Sequence, residues 1–494
     1  MKNSRSCKRT WFDHTHGAYL ECCWRDIWTN AILLVAFAIC WVGTGQLAFG
    51  QLTDSLMKVA ETPAPMPEYL QLTIQPQFTS GLQRIGGDLG EPIPGIPGDT
   101  WGYYARHHYS LDQPWNSDES LLIIKNGDSP TSNGGDMLLL DGDTYQPLKN
   151  LRTECGYSPD DDRWMPWFSN SHQRVALEDE TVYIYDVVTC TVLRSYDLTG
   201  IFDTSGFASI GGGNGSVTQD LLLALNNGTE VIVLNLHPWV AEGYWHGPVY
   251  SLLGCGLADC TLGSSSGGAQ MVSDGSLLVR YEGDANRIFD VDPVTLAISP
   301  RVSLPPTSCS GIPPGMGYIE SLAHVDVGAD ADWVTPVAVG VRRSYCSAQV
   351  PMGYVVKVNL LTGAVAQVTW RGPTDNREQQ AHHVSMRSVY RPGYALVTYR
   401  NELAEEGTRR YSDEVVWMSL AGPDPVTHAV EMERLTHTHT DTGPYTGEAH
   451  GVPSPTGYRA LFSSNWAGVC VEGCGSADSP KAYVVTPMAR QEQP

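Results

Sequence analysis

The feature that most constrains this chain is a tight turn running into an apolar strand, repeated along most of its length. Near the C-terminus it reads Ser454-Pro-Thr-Gly-Tyr-Arg-Ala-Leu-Phe-Ser. Earlier copies are Asn116-Ser-Asp-Glu-Ser-Leu-Leu-Ile-Ile, Thr218-Gln-Asp-Leu-Leu-Leu-Ala-Leu and Ser273-Asp-Gly-Ser-Leu-Leu-Val. Gly328-Ala-Asp-Ala-Asp, followed by Val337-Ala-Val-Gly-Val, and Arg391-Pro-Gly-Tyr-Ala-Leu-Val-Thr-Tyr continue the series. A weaker copy, His172-Gln-Arg-Val-Ala-Leu, fills the gap between the first two. Asp, Gly and Pro supply the backbone angles of a turn between two strands. Each turn is followed at some distance by an alternating strand that closes on a polar turn. Tyr183-Ile-Tyr-Asp-Val-Val-Thr, Ile288-Phe-Asp-Val-Asp-Pro, Val355-Val-Lys-Val-Asn-Leu-Leu-Thr-Gly and Val415-Val-Trp-Met-Ser-Leu-Ala-Gly show it best. Period-2 alternation marks half-buried strands, and the 3.6-residue period of a helical solenoid is absent. Seven such units, spaced about 45 to 65 residues apart, predict an all-β chain folded as a seven-bladed β-propeller, one blade per unit.

The units occupy residues 101–494. Residues 51–100 read as an N-terminal extension and linker: Gln71-Leu-Thr-Ile-Gln is expected to close the ring by pairing near Ala482-Tyr-Val-Val, and Glu91-Pro-Ile-Pro-Gly-Ile-Pro-Gly reads as a linker or loop. Residues 1–50 read as a signal peptide or an N-terminal anchor. Their apolar run, Ala31 to Val42, is short of the roughly 20 residues that a bilayer span needs, and basic residues lie upstream of it. No stable membrane span is expected unless this leader stays attached, and a secreted or periplasmic location follows. Cysteine usage agrees. Outside the leader there are eight cysteines, Cys155, Cys190, Cys255, Cys260, Cys309, Cys346, Cys470 and Cys474. Cys255/Cys260 and Cys470/Cys474 suit small loops, Cys155/Cys190 and Cys309/Cys346 longer bridges. A zinc site is the alternative, but no paired C-x-x-C spacing is present. The formal net charge of −23 argues against a nucleic-acid partner.

In a propeller the first strand of each blade runs beside the axis, so residues at its mouth converge. Histidines recur there: His107, His108, His172, His324, His382, His383 and His450. Imidazoles meeting at one mouth suit metal binding or proton transfer. A structural hydrogen bond between blades is the competing role for any one of them. Arg387 is expected near His382, as a neutraliser of an anion or as an inter-blade ion pair. Arg342 and Arg343 are further candidates. Trp115, Asn116, Asn465 and Trp466, with Trp164 and Trp167, could line a sugar groove, although packing between blades is the commoner fate of such rings. The tract Thr436-His-Thr-His-Thr reads as a solvated loop. No G-x-S-x-G elbow, H-E-x-x-H helix or phosphate-cradling loop occurs.

Ser454-Pro-Thr-Gly-Tyr-Arg-Ala-Leu-Phe resembles the strand repeat of the Tol-system propellers and of the oligogalacturonate lyases. The opening His107-His-Tyr-Ser-Leu-Asp-Gln-Pro-Trp-Asn-Ser-Asp is similar to propeller polysaccharide lyases such as ulvan lyases. The resemblance covers roughly residues 100–490. It implies β-elimination on a uronate-containing polysaccharide or oligosaccharide, which needs a cation at the carboxylate, a base for the C5 proton and an acid for the leaving oxygen. Carried over, it implies a divalent metal (Mn, Ca or Zn) on His382, His383 and His450, Arg387 as neutraliser, His108 as base, and Tyr109 or His172 as proton donor. Trp115, Asn116, Arg343, Asn465 and Trp466 would bind the acidic glycan. The alternative function is a non-catalytic extracellular or periplasmic propeller that binds a protein or glycan.

Overall fold

The computed structural model describes residues 51–129, 135–164, 171–201, 209–210, 222–227, 230–236, 244–248, 268–280, 286–292, 295–301, 318–319, 322–342, 354–370, 372–373, 378–399, 409–440, 448–466 and 479–488. The leader, Arg343, Trp167 and every cysteine other than Cys155 and Cys190 lie outside them.

Almost every described element is a strand, and the strands pair with their sequence neighbours as antiparallel meanders. Five sheets are separate meanders of four or five strands, and a sixth has nine. The nine-stranded sheet is two meanders joined by one parallel bridge, Ala105 to Lys481. Divided at that bridge, the described residues form seven meanders, and their first strands are Tyr104–Arg106, Asp161–Trp164, Ser209–Ile210, Ala269–Met271, Leu322–Ala329, Ala381–Ser385 and Val452–Pro453. Each repeated turn singled out in the sequence joins the first strand of a meander to its second, apart from the copy at 218–221, which lies outside the described residues.

Packing closes these meanders on themselves. Leu121 and Ile123 of the first meander meet Ala176 and Tyr185 of the second. Val175 and Ile184 then meet Leu223 and Ile232 of the third, whose Leu222 and Val233 meet Leu277 and Phe289 of the fourth. Leu278 and Ile288 pack on Val327 and Val356 of the fifth, and Val337 and Val339 on Val397 and Val416 of the sixth. Leu396 and Trp417 pack on Phe462 and Tyr483 of the seventh, whose Leu461 and Val484 return to Leu122 and Leu138 of the first. A sheet with a neighbour on both sides is apolar on both faces, which is why the middle strands Leu222–Asn226 and Glu414–Ser419 are buried throughout. An outermost strand such as Val365–Gln367 is exposed throughout. This radial gradient with sheet-on-sheet packing is the β-propeller architecture.

Ring closure is more elaborate than expected. The last meander runs Val452–Pro453, Ala460–Ser464 and Lys481–Pro487, and the strand that pairs with Lys481–Pro487 is Ser80–Arg84. Leu72–Gln75, the segment expected to close the ring, pairs with Ser80–Arg84 one place further out. The Pro-rich 91–98 segment is a loop whose Ile93 and Ile96 are buried in the core between the last and first meanders. Cys155 and Cys190 form a disulfide between the first and second meanders, with Cα atoms 5.2 Å apart. Among the described residues no helix is long and apolar enough to cross a membrane.

Candidate functional site

Side chains from four meanders meet at the mouth of the ring. His324 comes from the first strand of the fifth meander, His382 and His383 from that of the sixth, and Glu448 and His450 from the run into the seventh. Arg106 and Tyr109 come from the first. The Tyr109 hydroxyl lies 3.1 Å from His324 Nδ1, across meanders that are not neighbours in the ring. Only first strands gathered at an axis permit that contact. Gln113 repeats the tie, donating to the carbonyls of Arg387 at 3.1 Å and Pro453 at 2.9 Å.

Local backbone devices aim these imidazoles. The ladder of the fifth meander slips between Ala323 and Asp326, and that of the sixth between Ala381 and His383, so His324 and His382 each sit in a bulge. Bulges bend a strand and re-aim a side chain. His324 and His450 also have positive φ, 47° and 46°, a region that non-glycine residues seldom occupy. Gly451 follows for a steric reason: a Cβ there would lie 2.3 Å from Thr398 Oγ1. The missing side chain lets its N–H donate to that oxygen at 3.0 Å and brings His450 against the sixth meander.

Glu448 is the hub. Its Oε2 lies 3.2 Å from His383 Nε2 and 3.0 Å from His450 Nε2, and its Oε1 lies 3.7 Å from His382 Nε2. Ligand atoms of His382, His383 and Glu448 all fall within 4.8 Å of one another. The rings of His324 and His383 are 4.5 Å apart, those of His383 and His450 4.4 Å. Arg106 Nη1 donates to His450 Nδ1 at 2.9 Å, which leaves the other nitrogen of that ring toward Glu448. Burial holds His383 and His450 well below the usual imidazole range; His450 and the other imidazoles add to it at His383, Arg106 at His450. Both rings are therefore neutral, but only His383 keeps a lone pair for a metal; His450, expected as a ligand, accepts from Arg106 at Nδ1 and so carries its proton on Nε2, toward Glu448. Burial opposes ionisation of Glu448, but the His383 hydrogen bond and the neighbouring imidazoles outweigh it and keep the carboxyl below its ordinary value. His383 Nδ1 is buried with no hydrogen-bond partner among the described residues. A site of neutral imidazoles around one carboxylate suits a transition ion or zinc better than calcium, which prefers an all-oxygen shell.

The expected set is thus brought together in part. His382, His383, His450 and Tyr109 converge; His108, His172 and Arg387 do not join them. His108 pairs with Asp112 in a neighbouring recess: the strand ends at Arg106 and the chain turns over Tyr109–Asp112, which brings the Asp112 carboxylate back to the His108 ring while Tyr109 reaches His324. His172 stands at the turn into Gln173–Glu178, the opposite end of the blade from the mouth. Arg387 is the inter-blade ion pair: it binds Asp326, and both are buried. Trp115 is fully buried between the last and first meanders, and Trp466 stacks on His439 at 4.2 Å with its Nε1 donating to Ala64 O. Neither ring is available to a glycan. Asn116 closes its own turn by accepting from Leu121 N at 2.9 Å, and Asn465 accepts from Thr440 Oγ1 at 3.1 Å. The Thr436–Thr440 tract is buried, with His439 Nδ1 2.6 Å from Glu61 Oε1. Glu448 and Arg106 were missed as participants, although each is embedded in one of the histidine words.

No protein-family model and no curated protein matches the chain. Among solved structures it is similar to oligogalacturonate lyase from Vibrio parahaemolyticus, at 11% identity and a TM-score of 0.40, over 87% of this chain and 98% of that one. The Cps50 (Swd1) β-propeller domain of Myceliophteria thermophila matches at 11% identity and a TM-score of 0.38, over 80% and 99%. TolB from Acinetobacter baumannii matches at 11% and 0.31, over 74% and 80%. The chain is a β-propeller that resembles these proteins.

Proposed function

We propose that this chain is a secreted, metal-dependent carbohydrate-active enzyme on a seven-bladed propeller, one blade per meander, that cleaves a uronate-containing polysaccharide by β-elimination at the mouth of the ring. The observation that carries the reading is the cluster of His382, His383 and Glu448, with His450 against the same carboxylate. His382, His383 and Glu448 would hold a divalent ion, manganese or zinc by their donor set, and the ion would supply a Lewis acid for the substrate carboxylate. Tyr109, held beside His324, is placed to move a proton at its phenolic oxygen, and Arg106 orients His450 toward Glu448. The uronate class comes from the sequence words resembling propeller lyases, and the secreted location from the leader and the cysteines.

The test is a metal analysis of the dialysed protein paired with ultraviolet detection of unsaturated product from pectic, ulvan-type and glycosaminoglycan substrates. Bound manganese or zinc near one per chain, lost in Glu448→Gln together with product formation, is the expected result. An unmetallated protein, or no unsaturated product from any of these polymers, overturns it.

A further inference from the structure

Where the first and second meanders meet, a small recess of about 30 Å³, room for roughly two water-sized groups, opens beside His108, Asp112, Lys125, Asp162, Arg163 and Arg174. Its charged groups are paired with one exception. Asp112 binds His108 Nδ1 through one oxygen and Arg163 Nε, at 2.8 Å, through the other. Arg163 also binds Asp161, and Arg174 binds Asp162. Lys125 has no hydrogen-bond or ion-pair partner among the described residues, whereas Lys149, Lys357 and Lys481 donate to Val188 O, Asp330 and Ser479 Oγ. Lys125 lies in the strand Leu121–Gly127, and burial pushes its ammonium down from the ordinary lysine value.

His108 is the second group left with something to offer. The ionised Asp112, held low by Arg163 and His108 against its burial, fixes the imidazole proton on Nδ1. The lone pair is then on Nε2, which has no partner among the described residues. Burial and Lys125 keep the ring below its usual value, so it is neutral. With a neutral His108, the cations Lys125, Arg163 and Arg174 cancel the carboxylates of Asp112, Asp161 and Asp162. His107 on the same wall is held neutral, at about 3, by burial and Arg106. Arg106 itself is turned to the His108 carbonyl and to His450. The recess therefore offers an unpaired ammonium and an oriented base in a neutral, partly dry surrounding, where a charge-assisted hydrogen bond is strong.

We propose that this recess is a second ligand site, separate from the histidine–glutamate cluster, that holds a small monocarboxylate on Lys125 with His108 beside it. Entry of one negative charge into a balanced site is offset by one proton taken up at His108 Nε2. Affinity then falls as pH rises, by up to about tenfold per unit.

The experiment is calorimetric titration of the full chain, freed of metal by chelator, with formate, at about pH 6 and about pH 8 and in buffers of different ionisation enthalpy. Saturable binding with about one proton taken up per ligand, weaker at the higher pH, is expected. Lys125→Met, which keeps the apolar stem of the side chain, is expected to weaken binding at least about tenfold, whereas Glu448→Gln binds as the unaltered protein does. A readout independent of any variant is the acylation rate of Lys125 by acetic anhydride, followed by mass spectrometry: formate slows it at Lys125 and leaves Lys149 unchanged. Absence of binding, unaltered Lys125 acylation, or loss of binding in Glu448→Gln instead of Lys125→Met overturns the proposal, the last by assigning formate to the cluster.

Discussion

Asp326→Asn tests the frame that holds the cluster. Asp326 is fully buried and sits two residues beyond His324; Arg387, 3% exposed, sits four beyond His383. Besides Arg387, the carboxylate accepts from Met386 N at 2.7 Å and from Val327 N at 2.8 Å. The amide keeps one acceptor oxygen but presents an NH2 to one of three donors, and it leaves the guanidinium without a counter-charge. Breaking a buried pair from one side costs about 3–5 kcal/mol. Arg387→Met in the same chain removes the stranded charge, so the double variant is expected to recover a sizeable part of that loss. Urea unfolding of the metal-free protein, with unchanged slope, measures both. The two bulged strands are tied at this point, so metal affinity is expected to fall about 10- to 100-fold in Asp326→Asn, as when a residue supporting a ligand is removed. A single variant within about 0.5 kcal/mol of the parent, a value typical of surface changes, would refute the reasoning.

Tyr109→Phe should leave metal content intact while lowering product formation by about 10²- to 10⁴-fold, the range for losing a proton-transfer group; equal turnover removes Tyr109 from the chemistry. His107 and His437 are pushed to about 3, both chiefly by burial, and His383 and His450 also lie well below the usual range. An unfolded histidine titrates near 6.5, so the stability these groups contribute is complete above that pH and is lost as pH falls toward their folded values. The four together should cost on the order of 4 kcal/mol between about pH 6.5 and 5.5 in metal-free protein, and flat urea midpoints across that interval would contradict it. Trp115→Ala and Trp466→Ala should each cost about 3–5 kcal/mol of stability without changing oligosaccharide affinity in the fraction that stays folded. Loss of sugar binding at full stability would return these rings to the substrate.

The ring was legible because its signals are local. Turn residues such as Ser454-Pro-Thr-Gly and alternation such as Val355-Val-Lys-Val-Asn announce themselves within a few positions. The closing strand was displaced by one because Ser80-Gly-Leu-Gln-Arg has no β-branched residue, while Leu72-Thr-Ile-Gln looks the better strand. The Thr436–Thr440 tract read as a loop because its polarity is visible and its cover is not. Glu61 comes from hundreds of positions away, and Leu52 O, Asp54 O and Met57 O all meet Arg434 beneath it. In the site, the histidine words gave the right blades but not the facing: nothing in Arg106-His-His-Tyr tells which of two consecutive side chains takes the axis.

The cluster has a cost that packing alone does not explain. His324 and His450 hold left-handed backbones, and backbone strain of this kind runs on the order of 1–3 kcal/mol each. Two ladders forgo regular pairing to bulge His324 and His382 outward. Gly451 gives up a side chain so that His450 can approach. A histidine kept only to bridge blades needs none of these, because Asp326 and Arg387 bridge the same two meanders without a left-handed backbone at either residue. Strain at three converging side chains, His324, His382 and His450, is what a fold retains when the geometry at the mouth matters more than the stability lost in making it. That argument supports a ligand at Glu448 independently of any resemblance in sequence, and it rests on backbone angles and registers alone.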